Sequence, residues 1–195
     1  MEPAVPRPAA TVILLRRGGR HAEVGLQVLL VQRNPEARFM PGVWVFPGGA
    51  VDPADGDGEE AHRAAAVREL AEEAAIELDA DQLVAYSRWI TPRVVPIRFD
   101  TRFYLALAPP HSPPEADGSE TVDAGWFRPP EALERHRAGE LPLVFPTIKH
   151  LESLVGYPNA EEALEAARRR EVKPVEPEVV GEGGERRIVL PDEGP

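Results

Sequence analysis

The 195 residues, 43% of them hydrophobic, suffice for one domain with a full core, and two domains would stretch them. A formal charge of −11 argues against a nucleic-acid backbone or an anionic membrane surface as the main partner. The absence of cysteine excludes disulfides and thiolate metal sites, and the twenty-to-two excess of arginine over lysine reads as genomic bias.

Along the chain, residues 1–6 carry no basic-then-apolar leader and no apolar run approaches membrane-spanning length, so a cytoplasmic protein is the expectation. Residues 10–16 and 24–32 are rich in Val, Leu and Ile and flank Gly18-Gly19-Arg20-His21, which predicts a β-hairpin. Residues 43–46 predict a short strand that delivers the chain to a Phe46-Pro47-Gly48-Gly49 turn. A polar, turn-rich stretch at 53–58 precedes a helix predicted over 59–74, with an inward apolar stripe through Ala66, Leu70 and Ala74. Strands are predicted at 83–90 and 99–108, split by the proline-marked 91–96, and again at 120–127 after a loop at 109–118. Helices are predicted at 130–136, 146–154 and 159–170. Beyond Arg170 the composition turns to Pro, Glu and Gly, so 171–195 reads as a C-terminal extension of a single domain over 1–195, with 187–190 as an added edge strand. This order predicts an α/β protein with a mixed sheet between helices.

The 59–74 helix stacks carboxylates. Glu69, Glu72 and Glu73 are spaced i, i+3, i+4 and project from neighbouring turns of one side. Most glutamate-rich helix faces are simply solvated. Here the surrounding residues point elsewhere. Three like charges repel, and a divalent cation or a neighbouring arginine, such as Arg68, relieves the conflict. The order Gly49, Glu60, Arg68-Glu69-Leu70, Glu72-Glu73, Ala75-Ile76 resembles the signature of the Nudix hydrolases, G-x5-E-x7-R-E-U-x-E-E-x-G-U with U aliphatic. From Glu60 to Ile76 every specified position but one fits, and the region 48–76 is the counterpart of the family's box.

Two departures stand out. Ten residues separate Gly49 from Glu60 where the family pattern has five, and the excess reads as a loop insertion that leaves the helix in register. Ala75 replaces the family's glycine at the helix end, where a positive φ costs alanine on the order of 1 kcal/mol unless the helix runs further.

The resemblance implies a Nudix α/β/α sandwich, and roles within it. Glu72 and Glu73 would ligate Mg²⁺, with Mn²⁺ an alternative; Glu69 would be a third ligand or a base, and the Gly48 carbonyl would complete the set. Arg68 would orient Glu69 through a salt bridge, and Glu60 would complement the helix dipole in preference to serving as a distant ligand. Glu120, six residues before Trp126, matches a further carboxylate that some members supply from a loop, with a solvated edge glutamate as the competing reading and Glu115 as a weaker candidate.

The stretch 29–49, including Arg33, Arg38, Trp44 and Phe46-Pro47-Gly48-Gly49, is similar to the motif of coenzyme A diphosphatases. It is one residue short between Arg33 and Arg38, and Asn34-Pro35 replaces Ser-Ala. Asp52-Pro-Ala-Asp55 and the segment from Thr91 to Tyr104 look like the acyl-CoA branch. Cleavage of coenzyme A or an acyl-CoA to 3′,5′-ADP and (acyl-)4′-phosphopantetheine is the leading expectation. ADP-ribose, a dinucleotide or an NDP-sugar is the alternative, and a non-catalytic nucleotide-binding or regulatory Nudix protein is the reading from another class, resting on Ala75 alone. Arg33, Arg38, Arg93 and Arg98 form the pool of phosphate-binding cations. Arg102 reads rather as a structural ion-pair partner, and Trp44 either stacks an adenine or belongs to the core. A small nucleotide diphosphate is the expected partner, without nucleic acid or membrane; monomer or homodimer stays open.

Overall fold

A computed structural model describes residues 3–17, 25–38, 40–181 and 187–191. The hairpin turn expected at Gly18-Gly19-Arg20-His21 lies outside them. Its flanking strands, β1 (Arg7–Arg16) and β2 (Gln27–Arg33), pair antiparallel with Leu15 opposite Val28. β3 (Trp44–Val45) and β4 (Gly48–Ala50) follow, then α1 (Gly58–Ala74), β5 (Val84–Ile90), β6 (Phe99–Leu107) and β7 (Thr121–Phe127). The helices α2 (Pro129–Arg137), α3 (Phe145–Leu154) and α4 (Ala160–Arg168) precede β8 (Pro174–Val175), β9 (Glu178–Val180) and β10 (Arg187–Val189).

The main sheet runs β3-β2-β1-β6-β5-β8, with β4 also pairing β1 and β7 also pairing β2. It is mixed, because β1 and β6 are parallel while β1–β2 and β5–β6 are antiparallel. The central strands are buried on both faces, which is why they read as unbroken apolar runs instead of alternating ones. Ala10, Val12 and Leu14 of β1 pack with Ala65, Ala66, Leu70 and Ala74 of α1. Ile13 and Leu15 face the other way, onto Leu133, Leu151, Leu154 and Leu164 of α2, α3 and α4. Helices therefore cover both faces of the sheet, the α/β/α sandwich.

Three local outcomes differ from the sequence reading. The Gly-Gly segment is not a free turn: Gly48 and Gly49 form strand β4, opposite Thr11 and Ala10 of β1. The insertion contains a single 3-10 turn, Pro53–Asp55. Beyond Arg170 the chain adds β8 beside β5, and the expected edge strand, β10, pairs with β9 in a separate two-stranded sheet. No helix among the described residues is long and apolar enough to cross a membrane.

Candidate active site

A cavity of about 370 Å³ opens where the helices α2 to α4 stop covering the β1–β6 floor. Glu69 and Glu73 reach it from α1 on the far side of the sheet, Glu120 from the residue before β7, and Arg33 from the end of β2. Phe46, Phe99, Phe103, Val144 and Pro146 give it an apolar wall.

The carboxylates of α1 reach the cavity because β4 has no side chains in their path. The Gly48 N–H donates to Glu73 Oε2 at 2.9 Å. A Cβ on Gly49 would lie 2.5 Å from Glu69 Cδ, and one on Gly48 would lie 2.5 Å from Thr11 Oγ1. Close approach of backbone to carboxylate and to β1 is thus what requires glycine here.

Arg68 organises the edge of the site. Its Nε and Nη2 bond both carboxylate oxygens of Asp55 at 3.1 and 3.0 Å, and Nη1 reaches Glu69 Oε1 at 2.9 Å and Glu72 Oε2 at 3.1 Å. Nη2 also bonds the Ala50 carbonyl at 3.1 Å. Asp55, held in turn by the Asp52 N–H at 2.8 Å, comes from the inserted turn, so the insertion supplies a clamp on the arginine that orients Glu69. The Arg68 hydrogen bonds hold the Asp55 carboxyl below its usual range.

Burial pushes the Glu73 carboxyl up to about 7, with the charges of Glu69 and Glu120 adding to it and the Gly48 N–H and Arg33 opposing. Burial also raises Glu69, against the pull of Arg68. A cation would relieve this repulsion, and an all-oxygen donor set suits Mg²⁺ or Mn²⁺. Among the described residues no three acidic or histidine groups are gathered to hold a metal. Glu72 is 59% exposed and paired with Arg68, and Gly48 offers Glu73 its N–H, a bond that does not use the carbonyl expected as a ligand. Mg²⁺ commonly takes one or two carboxylates and completes its shell with water and substrate phosphate, and Glu69 and Glu73 fit that requirement.

The proposed phosphate-binding arginines separate. Arg33 lines the cavity, whereas Arg38 is exposed and does not line it. Arg93 and Arg98 both pair with Glu176 of the C-terminal extension, at 3.3 and 2.7 Å. Arg98 is 6% exposed and also donates to the Thr91 and Ala4 carbonyls, so it ties the termini together and does not face the cavity. Trp44 is 8% exposed and packs edge-on to Phe127 with centroids 5.2 Å apart, a core residue. Arg102 does form an ion pair, with Glu59 at 3.1 Å. Glu60 sits in the first turn of α1, and Glu115 lies outside the cavity, its N–H bonded to the Ala74 carbonyl at 3.0 Å. Sequence reasoning gave no site role to Arg7, Thr11, Asp55 or the Phe99–Phe103 wall, although Asp55 and Phe99–Phe103 lie in segments whose likeness to the acyl-CoA branch was visible.

The NUDIX domain family model matches residues 5–145. A Caenorhabditis elegans protein whose name assigns it to the nudix hydrolases is 30% identical over an alignment of 183 residues that covers 76% of this chain. The chain spans 60% of the length of that relative. A NUDIX hydrolase structure from Alicyclobacillus acidocaldarius aligns with a TM-score of 0.74 at 31% identity, over 83% of this chain and 96% of that one. The NUDIX domain of Shewanella oneidensis NrtR complexed with ADP ribose shares the fold, with a TM-score of 0.57 at 22% identity over 83% and 90% of the two chains. With the carboxylate helix, the paired glycines and these likenesses in agreement, the chain belongs to the NUDIX domain family.

Proposed function

We propose that the protein is a divalent-cation-dependent diphosphatase for a nucleoside diphosphate joined to another moiety, with coenzyme A or an acyl-CoA ahead of ADP-ribose, dinucleotides and NDP-sugars. One observation carries this reading: a single cavity joins Glu69, Glu73, Glu120 and Arg33 to a wall of phenylalanines. A charged, metal-dependent centre beside an apolar surface suits a diphosphate with a long organic arm.

A bound cation would neutralise the diphosphate and lower the pKa of a water molecule. Glu73 and Glu69 supply oxygens to hold it. Arg68, braced by Asp55, is a positioning residue that sets the Glu69 carboxylate and touches no substrate. Arg33 offers a guanidinium to the diphosphate, and Glu120 a carboxylate oxygen to accept a proton from attacking water. Products from coenzyme A would be 3′,5′-ADP and 4′-phosphopantetheine.

The test is a mass-spectrometric product assay with Mg²⁺ on coenzyme A, an acyl-CoA, ADP-ribose and NADH, with Glu73→Gln as blank. A higher kcat/KM for 3′,5′-ADP release than for AMP release supports the coenzyme A reading. Preference for ADP-ribose or NADH keeps the chemistry and discards that substrate.

A further inference from the structure

Arg7 opens β1 and lines the same cavity as Glu69 and Glu73. In the parallel β1–β6 ladder Arg7 lies opposite Phe99, Ala9 opposite Thr101 and Thr11 opposite Phe103. Alternate residues of a strand share a face, so these six make two parallel rows on the cavity floor. Thr11 also pairs with Gly48, the residue whose N–H holds Glu73. Thr11 lies four residue steps along the strand from Arg7, about 13 Å of floor. Carboxylates therefore stand at one end and a guanidinium at the other.

The charges of the neighbouring arginines are already used. Arg68, Arg88, Arg98 and Arg102 each sit in an ion pair, and Arg33 acts on Glu73 at the carboxylate end. Arg7 is exposed and, among the described residues, no carboxylate pairs with its guanidinium. That group instead lies over the Phe99 ring, with Cζ 5.8 Å from the centroid. Stacking on a ring restrains a guanidinium while leaving its in-plane N–H donors free, the arrangement that forks onto a phosphate.

We propose that Arg7 is a specificity residue that binds a phosphate monoester on the substrate's ribose, the same ribose whose 5′ oxygen carries the diphosphate that is cleaved. Ala9 and Thr101, a small side chain and a hydroxyl, form the stretch of floor between the two anionic groups. The proposal rests on the diphosphatase reading and narrows it to nucleotides carrying a third phosphate on a ribose, whether at the 3′ position, as in coenzyme A, or at the 2′ position, as in NADPH.

The test is calorimetric titration of the full chain, with Mg²⁺ present, by adenosine 3′,5′-bisphosphate, adenosine 2′,5′-bisphosphate and 5′-AMP. Wild type, Arg7→Gln and Arg7→Lys are compared, with thermal melting to confirm that each variant is folded. One bisphosphate is expected to bind wild type about tenfold or more tightly than AMP, the size of a charge-assisted pair. Arg7→Gln brings that ratio close to one, and Arg7→Lys retains part of it; which bisphosphate prevails separates the 3′ from the 2′ source. Equal affinities in wild type, no binding by any of the three, or a ratio that survives Arg7→Gln overturns the proposal. Turnover is read separately. Cleavage of NADPH and not coenzyme A, with the ratio lost in Arg7→Gln, removes the coenzyme A reading and leaves Arg7 its role; cleavage of coenzyme A with an unaltered ratio does the reverse.

Discussion

Glu73 shows how much one side chain's surroundings add to its spacing. The motif marks it as one of three stacked glutamates, but only Glu73 is buried, and it alone is held by the Gly48 N–H. Replacing it by Gln keeps the shape and removes the charge that would hold a cation, so we expect a native melting curve and a turnover lower by about a hundredfold or more. Unaltered initial rates would move the cation site elsewhere. Asp55 carries the second prediction. Asp55→Asn breaks the two-pronged bond to Arg68 and frees that guanidinium to shift toward Glu69 and Glu72. We expect kcat to fall about tenfold, as when a group that orients a metal ligand is lost, with KM little changed. A variant with wild-type kcat and a lowered Tm would make the clamp purely structural. The sequence displayed both residues, yet nothing in it said that the inserted turn folds back onto the arginine.

The helix α1 was the most legible element, because seventeen residues with a strict motif leave little choice of register. Its end is a finding. Ala75 adopts φ 53°, ψ 32°, the left-handed conformation in which the family has glycine, and its N–H bonds the Ala71 carbonyl. The helix therefore stops where the motif says, and alanine bears the strain. Ala75→Gly should stabilise the protein by about 1 kcal/mol, raising Tm by roughly 2–4 °C for a chain of this size. A Tm unchanged or lowered in a melting experiment would mean that the backbone at 75 relaxes in solution. Strand β4 was illegible for the opposite reason. Gly48, Gly49 and Ala50 have low β-propensity, and they extend only because β1 offers them partners.

Across the molecule α3 carries the buried His150, which packs among the rings of Phe46, Tyr86, Trp89 and Phe103. Its Nδ1 faces the Pro146 carbonyl at 2.6 Å, so Nδ1 carries the proton and Nε2 accepts from the Ser87 hydroxyl, also at 2.6 Å. Burial lowers its pKa to about 4, the Pro146 carbonyl opposing and the charge of Arg170 adding. A histidine whose folded pKa is depressed contributes stability above its unfolded value, near 6.5, and loses it as pH falls toward about 4. The loss is bounded by about 3 kcal/mol. Denaturant midpoints measured from about pH 7.5 down to about pH 5 should fall for wild type and fall less for His150→Gln; equal slopes would assign the loss to other groups. The arginines make the same point about range. Their side chains are alike in sequence, but Arg98 and Arg93 are claimed by Glu176, some 80 residues on, while Arg33 and Arg7 are left at the cavity. By itself the sequence determined the carboxylate helix, the alternation of strands and helices, and the family, since these depend on neighbours a few residues apart. The partner of each charge, the cavity floor and the clamp of Asp55 on Arg68 were decided by tertiary structure, because Coulomb and packing forces act over distances in space that separation along the chain does not encode.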